Sequence, residues 1–445
     1  MSGAAEVSTG GTFRSLRGFN YRTWAMGAFV SNIGTWMQRT AQDWLVLTEL
    51  THKRASAVGV VMGLQFAPQV LLLPWTGSAA DHLDRRKLLY ATQATMGALA
   101  LGLGVLTVLH LVQLWHVYLF AFGLGCATAF DAPARQTFVA ELVGEKDLSN
   151  AVGLNSTSFN AARMIGPAVA GIVIAGVGTG WAFLVNAASF VAVLASLSCL
   201  RASELHPMKR AQRKAGGFAE SFRYVRERPD LSAMLLMLFF VGTFGLNFPI
   251  FISTMAVTVF HRGAGGYGML TSTMAVGTVS GALLAARRKR PRIGVLIYGA
   301  FVFGAGLTLA ALMPNFVWFG VALVIIGTAA QTFTNTAIST VQISTDPAMR
   351  GRVMALLLAV TLGGTPLGAP IVGHIADKFG ARWGLMVGAA GGLCAVVTGL
   401  RYLVKHRRLR LHVVDGRLRF TSAAAEPAIA TVTATAQSVQ TGARG

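Results

Sequence analysis

Three charged residues lie inside long apolar stretches of the sequence: Arg39, Asp43 and Arg163. Arg39 and Asp43 are four residues apart, so on a helix they share one face. Burying an unpaired charge is unfavourable, which leaves two interpretations. Either the carboxylate of Asp43 forms a structural salt bridge with Arg39 or Arg163, or it takes up and releases a proton while the arginines favour its charged form.

The sequence contains none of the common motifs of enzyme chemistry. It has no nucleotide-binding glycine loop with a lysine, no Cys/His cluster and no pair of catalytic carboxylates. Its cysteines, Cys126, Cys199 and Cys394, lie in apolar runs without metal-ligand spacing, which indicates inert thiols. We therefore expect a protein that is not an enzyme and that has no cofactor and no metal site.

The composition indicates a membrane protein. Of the 445 residues, 53% are hydrophobic and only 12% are charged, whereas a soluble domain carries about 25% charged residues. The segments 88–130 and 293–345 contain no Asp, Glu, Lys or Arg, and roughly 20 apolar residues are enough to cross a bilayer. The predicted fold class is an all-α protein that crosses the lipid bilayer many times.

Turn residues and charges divide the apolar runs into twelve spans, and the longest internal loop separates two sets of six. The predicted spans are 21–48, 56–79, 88–110, 115–133, 150–176, 180–200, 231–258, 266–286, 293–313, 316–338, 352–375 and 382–402. The predicted domains are an N-terminal segment 1–20, a six-helix bundle 21–200, a linker 201–230, a second six-helix bundle 231–404 and a disordered tail 405–445.

Basic residues are distributed unevenly among the loops. Most of the 38 Lys and Arg residues fall on the membrane side that holds both chain termini, and loops rich in Lys and Arg stay in the cytoplasm. We therefore predict a plasma or inner membrane protein with cytoplasmic termini. This topology accounts for the net charge of +21, so no nucleic-acid partner is expected. Within the linker, the pattern of 218–226 predicts an amphipathic helix on the inner membrane surface.

The second half of the chain repeats the first. Gly166 and Gly171 recur at the same spacing as Gly368 and Gly373. A parallel repeat of six plus six helices predicts two bundles related by an axis along the membrane normal. This is the arrangement of a transporter whose halves rock about a site between them.

Small residues on spans five and eleven are spaced for close helix contact. Such residues let two helix backbones approach within a membrane. We expect spans five and eleven to pack tightly at the surface where the halves rock. The predicted interface residues are Gly153, Gly166, Pro167, Gly171, Gly368, Pro370 and Gly373.

Two motifs resemble those of the major facilitator superfamily. The segment 77–87 (GSAADHLDRRK), between spans two and three, resembles the signature loop of this family: a Gly, three residues, an Asp and a basic cluster. The segment 153–171 resembles the antiporter motif that is thought to mark exporters, with alanine at two glycine positions. The stretch 131–167 is most similar to the enterobactin-exporter branch. The resemblance implies a twelve-span major facilitator fold and efflux of siderophores or drugs.

The resemblance also suggests a role for charges at the inner membrane face. It implies that Asp81, Arg85 and Arg86 join an aspartate on span four, here Asp131, in a charge relay. Such a latch stabilises one packing of the halves, so it changes the inward and outward populations rather than the substrate contacts. The alternative is that these charges only determine topology.

In this family, spans one, four, seven and ten line the central cavity. Amides and phenylalanines on the corresponding spans suit an amphipathic organic molecule, and no cation is placed among them to bind a sugar phosphate or an inorganic anion. The alternative is that these side chains face lipid or pack in the core. The predicted cavity residues are Gln38, Asn155, Asn160, Phe244, Asn247, Phe248, Gln331 and Asn335.

Together these features predict a secondary transporter that exports small amphipathic compounds, such as siderophores, antibiotics or drugs, in exchange for protons. The expected partners are the lipid bilayer, a small-molecule substrate and protons, and the expected state is a monomer. Two alternatives stay open: an importer of the same fold, and a membrane sensor or scaffold that no longer transports.

Overall fold

A computed structural model describes residues 11–73, 75–76, 79, 83–206, 218–287, 293–347, 349–407, 409–414 and 417–422. Apart from short helical turns and a helix in the linker, these residues form twelve helical segments, numbered here α1 to α12. They are α1 (Phe19–Trp44), α2 (Ala55–Leu71), α3 (Arg85–Val108), α4 (114–143), α5 (145–177), α6 (Thr179–Ser198), α7 (Pro229–Val259), α8 (Ala264–Ala286), α9 (Ile293–Leu312), α10 (Phe316–Ser344), α11 (Arg350–Phe379) and α12 (Ala381–Arg407).

Two of the predicted spans are parts of one long helix. Leu114–Val177 contains 64 residues and breaks at Gly144, whose φ of 68° is unusual for any residue with a side chain. At 1.5 Å per residue this helix is about 96 Å long, which is enough to cross a bilayer twice. The break therefore separates α4 from α5.

Nine helices in the described part of the chain are long and apolar enough to cross a membrane, counting Leu114–Val177 once. The remaining segments are α2, a shorter apolar helix, and α1, which the π-helical turn Leu45–Leu50 extends. The helical membrane fold predicted from the sequence is confirmed, and these segments are consistent with twelve spans.

The helix ends show why the chain turns where it does. The side chain of Asp84 accepts a hydrogen bond of 3.0 Å from the backbone of Lys87, which caps the N-terminus of α3. Gly178 and Gly380 occupy equivalent repeat positions, and their φ values of 96° and 99° allow one-residue turns before α6 and α12. The repeat seen in the sequence therefore extends to backbone conformation.

The helices form two bundles with equivalent packing. In the first bundle α1 contacts α5 and α6, and α3 contacts α6; in the second, α7 contacts α11 and α12, and α9 contacts α12. The bundles meet through α2 against α11 and through α5 against α8.

The two ends of the bundles are named as follows. The distal end holds the loops 51–54, 109–113, 260–263 and 313–315, and the terminal end is the one nearest the chain termini.

The linker forms the predicted amphipathic helix, Phe218–Glu227, and this helix docks on the second bundle. The hydroxyl of Tyr224 donates to Oδ2 of Asp346 at 2.9 Å, and Arg352 forms an ion pair of 2.6 Å with Glu220. Since these partners lie at the terminal end of α10 and α11, one side of the helix contacts the second bundle.

The C-terminal tail differs from the prediction of a disordered segment over 405–445. α12 continues to Arg407, and the antiparallel strands β1 (Leu409–Val414) and β2 (Arg417–Ser422) pair from Leu409 with Ser422 to Val414 with Arg417. Apolar and polar residues alternate along 409–413, which is the period of a strand. Residues 423–445 lie outside the described part.

Candidate functional site

Three charged side chains line a cavity of ≈ 240 Å³ between the two bundles. Helices α1, α2 and α5 of the first bundle and α7, α8 and α11 of the second contribute its walls. Its charged lining residues are Arg39, Asp43 and Arg163, the same three residues that stand out in the sequence.

Asp43 joins the two bundles through a hydrogen bond. Its side chain is 8% exposed, and its Oδ2 accepts a hydrogen bond of 2.9 Å from the hydroxyl of Tyr267 on α8. Trp44 stacks beside Tyr267, with 6.4 Å between ring centroids. The carboxylate therefore lies where any separation of α1 from α8 changes its surroundings.

Arg39 and Arg163 both lie against the indole ring of Trp36. Their guanidinium carbons are 5.0 Å and 5.3 Å from the ring centroid. Among the described residues neither arginine forms an ion pair, and Nε of Arg39 is buried without a hydrogen-bond partner. The structural salt bridge from Asp43 to either arginine is therefore not formed in this conformation.

The charges of this cluster leave one positive charge in excess. A cation–π contact contributes about 0.5–2 kcal/mol, whereas an arginine at the centre of a span costs about 2.5–3.5 kcal/mol on insertion scales. One carboxylate, already bonded to Tyr267, faces two guanidinium groups. The cavity is consequently more positive than a satisfied structural network, and it suits an occupant with negative charge.

This lining differs from the one predicted. The expectation of a cavity without a cation for an anion is wrong, because Arg39 and Arg163 point into it. The walls come from six helices and include none of the described residues of α4 or α10. The helices that meet at the bundle interface, α2 with α11 and α5 with α8, are among those that line the cavity.

The eight residues predicted for the cavity have separate surroundings. Phe248 lines the cavity, and Asn335 borders another pocket, also of ≈ 240 Å³, between α8 and α10. Gln38 accepts a hydrogen bond from Asn186, Asn247 donates to the carbonyl of Thr243, Asn160 donates to that of Ser156, and Gln331 donates to Asn335. Phe244 is close to Gly391 of α12, and Asn155 is partly exposed on α5.

Two of the predicted interface glycines pack inside their own bundles. A Cβ on Gly166 would lie 2.5 Å from Cβ of Trp36 on α1, and a Cβ on Gly368 would collide with the carbonyl of Thr243 on α7. These positions are equivalent in the repeat. Gly166 thus brings α5 close to α1 and leaves room for the side chain of Trp36.

The next glycines in the repeat contact the opposite bundle. A Cβ on Gly171 would lie 2.9 Å from Cα of Gly265 on α8, and a Cβ on Gly373 would lie 2.7 Å from Cα of Ser56 on α2. The prolines repeat this pattern, since Pro167 contacts α8 and Pro370 contacts α2. The expected packing of α5 on α11 is therefore replaced by two equivalent contacts, α5 on α8 and α11 on α2.

Asp377 is a residue that the sequence analysis missed. It lies near the distal end of α11, and its carboxylate accepts hydrogen bonds from the backbone N–H groups of Ala55 and Ser56, at 2.5 Å and 3.1 Å. Because Ala55 begins α2, the carboxylate caps a helix of the other bundle and faces its positive end. An aspartate outside the predicted span gave no signal of this partner.

The charges of the predicted latch have partners within the first bundle. Arg85 forms an ion pair with Glu141, and Arg86 donates to the carbonyls of Leu197 and Ser198. Asp131 is 4% exposed and binds the guanidinium of Arg135 at 2.8 Å, together with Thr92 and Gln93. Asp81 lies outside the described residues.

We expect Gly166→Leu to reduce transport at least tenfold while the protein still inserts. The added side chain meets Trp36 and the backbone of α1, and overpacking costs about 1–3 kcal/mol. Flux normalised to the amount of inserted protein measures the effect. Gly153→Leu is the matched control, because nothing lies within 4 Å of a Cβ at that position of the same helix. Equal flux in the two variants would contradict the predicted contact.

A charged cavity between two pseudo-equivalent six-helix bundles defines a membrane transporter rather than an enzyme. A family model described as a transmembrane secretion effector matches residues 10–430. The chain therefore belongs to this family of the major facilitator superfamily, and the predicted resemblance to that superfamily is confirmed.

Comparisons with individual proteins agree with this assignment. The chain is 24% identical to the staphyloferrin A transporter of Staphylococcus aureus over 87% of this chain and 96% of that protein. It is also 24% identical to the enterobactin exporter of Shigella flexneri over 75% of this chain and 80% of that protein. A bacterial homologue of the lysosomal transporter Spinster, solved in an inward-facing and unoccupied conformation, has the same fold (TM-score 0.68, 16% identity, 87% of this chain and 97% of that one).

Proposed function

We propose that this protein exports small amphipathic organic compounds in exchange for protons, by alternating access of a cavity between its two bundles. The observation that carries the proposal is the hydrogen bond between Asp43 and Tyr267, which places a carboxyl group in the cavity and across the bundle interface. A coupled exporter needs a group that gains and loses a proton as the halves move, and Asp43 has this location.

The proposed orientation places both chain termini in the cytoplasm. It rests on the excess of Lys and Arg in the loops of the terminal end. Between described residues, the hydrogen bonds that join the bundles involve Asp377, Tyr267 and Ser272, all on the distal side or near the middle of the spans. With this orientation the contacts close the cavity toward the outside, so we assign the conformation as inward-facing.

The proposed cycle uses the two surroundings of Asp43. When the distal contacts open, Tyr267 moves away from Asp43, and the carboxylate can take up a proton from the external medium. When they close, Asp43 again accepts the hydrogen bond from Tyr267, and the proton leaves toward the cytoplasm. Proton entry is thereby linked to the conformational change that carries substrate outward.

Export rather than import is supported by the relatives. The matching family is described as a secretion effector, and one of the relatives named above is an enterobactin exporter. The segment 153–171, which resembles the antiporter motif, contains glycines that contact α1 and α8. We propose the same direction here, with the protein acting as a monomer.

We also propose that the charges at the terminal end latch the outward-facing conformation. In the inward-facing conformation Arg85 and Asp131 keep partners within the first bundle, so they are held near the surface that the second bundle reaches when the terminal end closes. A latch of this kind stabilises the other conformation without contacting the substrate.

We expect Arg85→Ala to lower transport at least tenfold while leaving insertion unchanged. Losing the arginine breaks the ion pair with Glu141 and weakens the closed terminal end. Arg22→Ala is the control, since Arg22 is an exposed cation at the same membrane side. If the two variants lose insertion equally and keep normal flux per inserted protein, the charges determine topology and do not form a latch.

Everted membrane vesicles test the proposed function. Energised vesicles acidify their lumen, so an exporter coupled to protons accumulates substrate inside them when a proton gradient is present. Amphipathic dyes and hydroxamate siderophores are suitable probes, with vesicles lacking the protein as the background. Substrate uptake that survives collapse of the proton gradient contradicts proton coupling. Efflux of substrate from the vesicles in place of accumulation supports the importer. The absence of flux for every probe supports the sensor or scaffold.

A further inference from the structure

The chemistry around Trp36 is not used by the proton cycle. Arg39 and Arg163 come from different helices, α1 and α5, and both lie within 5.3 Å of the centroid of the same indole. Phe159 packs edge-on against this indole, with 5.7 Å between centroids. Two cations are thus held on one rigid aromatic platform at the wall of the cavity.

Asp43 is the one carboxylate among the described residues that lines the cavity with this pair, so one positive charge is in excess. Among the described residues no carboxylate forms an ion pair with either arginine, and the carboxylate of Asp43 is bonded to Tyr267. Nε of Arg39 is buried and lacks an acceptor. The two arginines therefore lack an anionic partner with oxygen acceptors. A carboxylate is such a partner, because guanidinium groups present planar sets of N–H donors that match its two oxygens.

Much of the remaining cavity wall is apolar. Phe66 on α2, Phe248 and Ile252 on α7, and Met274 on α8 face the same space. An occupant therefore needs an apolar or aromatic body on the side away from the arginines. The volume of ≈ 240 Å³ limits this body to a compact molecule in the inward-facing conformation.

We infer that the cavity selects amphipathic organic acids, and that Arg39 and Arg163 bind their carboxylate beside the ring of Trp36. This deepens the proposed function, on which it rests, by naming the substrate class as acids rather than neutral or cationic drugs. A bound carboxylate balances one of the two cations when Asp43 is ionised. The apolar body lies against Phe66, Phe248 and Ile252.

A pair of probes that differ only in charge tests this inference. 1-Naphthoate and its neutral methyl ester share one ring system, so binding of both to the full-length protein in lipid nanodiscs can be measured by equilibrium dialysis without any proton gradient. We expect the protein to bind the acid at least tenfold more tightly than the ester. Equal affinities for the two probes, or no binding of either, would overturn the inference.

Variants locate the anion site. We expect Arg163→Gln to weaken naphthoate binding at least tenfold and to leave ester binding within twofold, because only the acid uses the guanidinium. Arg163→Lys keeps the positive charge but lacks the planar guanidinium group, and it is expected to restore part of the acid preference. Arg382→Gln removes an exposed cation on α12 and serves as the control. An acid preference that survives Arg163→Gln and Arg39→Gln alike contradicts the assignment.

The two proposals fail in different ways. If the acid preference is present in nanodiscs but everted vesicles show no gradient-dependent accumulation of naphthoate, the exporter function fails and the anion site stands. If the vesicles accumulate neutral dyes in a gradient-dependent manner while the acid preference is absent, the anion site fails and the exporter function stands. Retained ester binding shows that a variant is folded.

Discussion

Asp43→Asn is expected to lose at least tenfold of gradient-driven transport while keeping insertion and substrate binding. The amide oxygen of the new side chain can still accept the hydrogen bond from Tyr267, so the contact between the bundles is preserved. What disappears is the group that can bind and release a proton. Flux against pH in everted vesicles, normalised to inserted protein, measures the loss, and exchange without a gradient should continue.

Tyr267→Phe separates this role from a structural one. It removes the hydroxyl donor but keeps the carboxyl group of Asp43, so a proton site predicts pH-dependent transport that continues at reduced rate. A purely structural role predicts the reverse order, with Tyr267→Phe more damaging than Asp43→Asn. An unchanged pH profile in Asp43→Asn would reduce Asp43 to a structural residue and leave the proton carrier unidentified.

Gly171→Leu is expected to open the distal end of the transporter and to reduce flux at least tenfold. A Cβ at this position lies 2.9 Å from Cα of Gly265 and 3.0 Å from the carbonyl of Ala264, so a leucine must push α5 away from α8. Overpacking by about 1–3 kcal/mol shifts the equilibrium away from the closed distal end by about 5- to 150-fold.

Distances between spin labels report this shift directly. Arg54→Cys and Arg262→Cys place labels on exposed distal loops of the two bundles, in a chain whose native cysteines are replaced by serine. Gly171→Leu should lengthen the mean distance between the labels. Gly176→Leu, on the same helix, has nothing within 4 Å of its Cβ and should leave both distance and flux unchanged. A short distance in Gly171→Leu would show that α5 and α8 do not form the distal closure.

The helical membrane fold could be predicted because it depends on local properties of the chain. Apolar runs long enough to cross a bilayer must be helical, since lipid offers no partner for backbone polar groups. The turn at Gly178 and its repeat at Gly380 were visible because only glycine readily adopts such values of φ. The pairing of β1 with β2 was missed because a Thr- and Ser-rich tail concealed a short alternating pattern.

The site could be predicted only in part. The sequence did not show which residues contact each other across the two bundles. Charges in apolar runs singled out Arg39, Asp43 and Arg163, and all three line one cavity. The carboxylate of Asp43 finds its partner in Tyr267, which is 224 positions away and on the other bundle. Helical spacing shows which residues share a face of one helix, but it does not show which face of another helix lies opposite.

The sequence by itself determined that this protein is a membrane transporter with two repeated bundles, because apolar length, loop charge and glycine spacing act along the chain. Only the tertiary structure decided that Gly171 meets α8 rather than α11, and that Asp377 caps α2. It also decided that two arginines share the ring of Trp36. The physical reason is that these contacts depend on how the bundles are rotated and tilted against each other, and many helix pairs offer small residues that could pack equally closely.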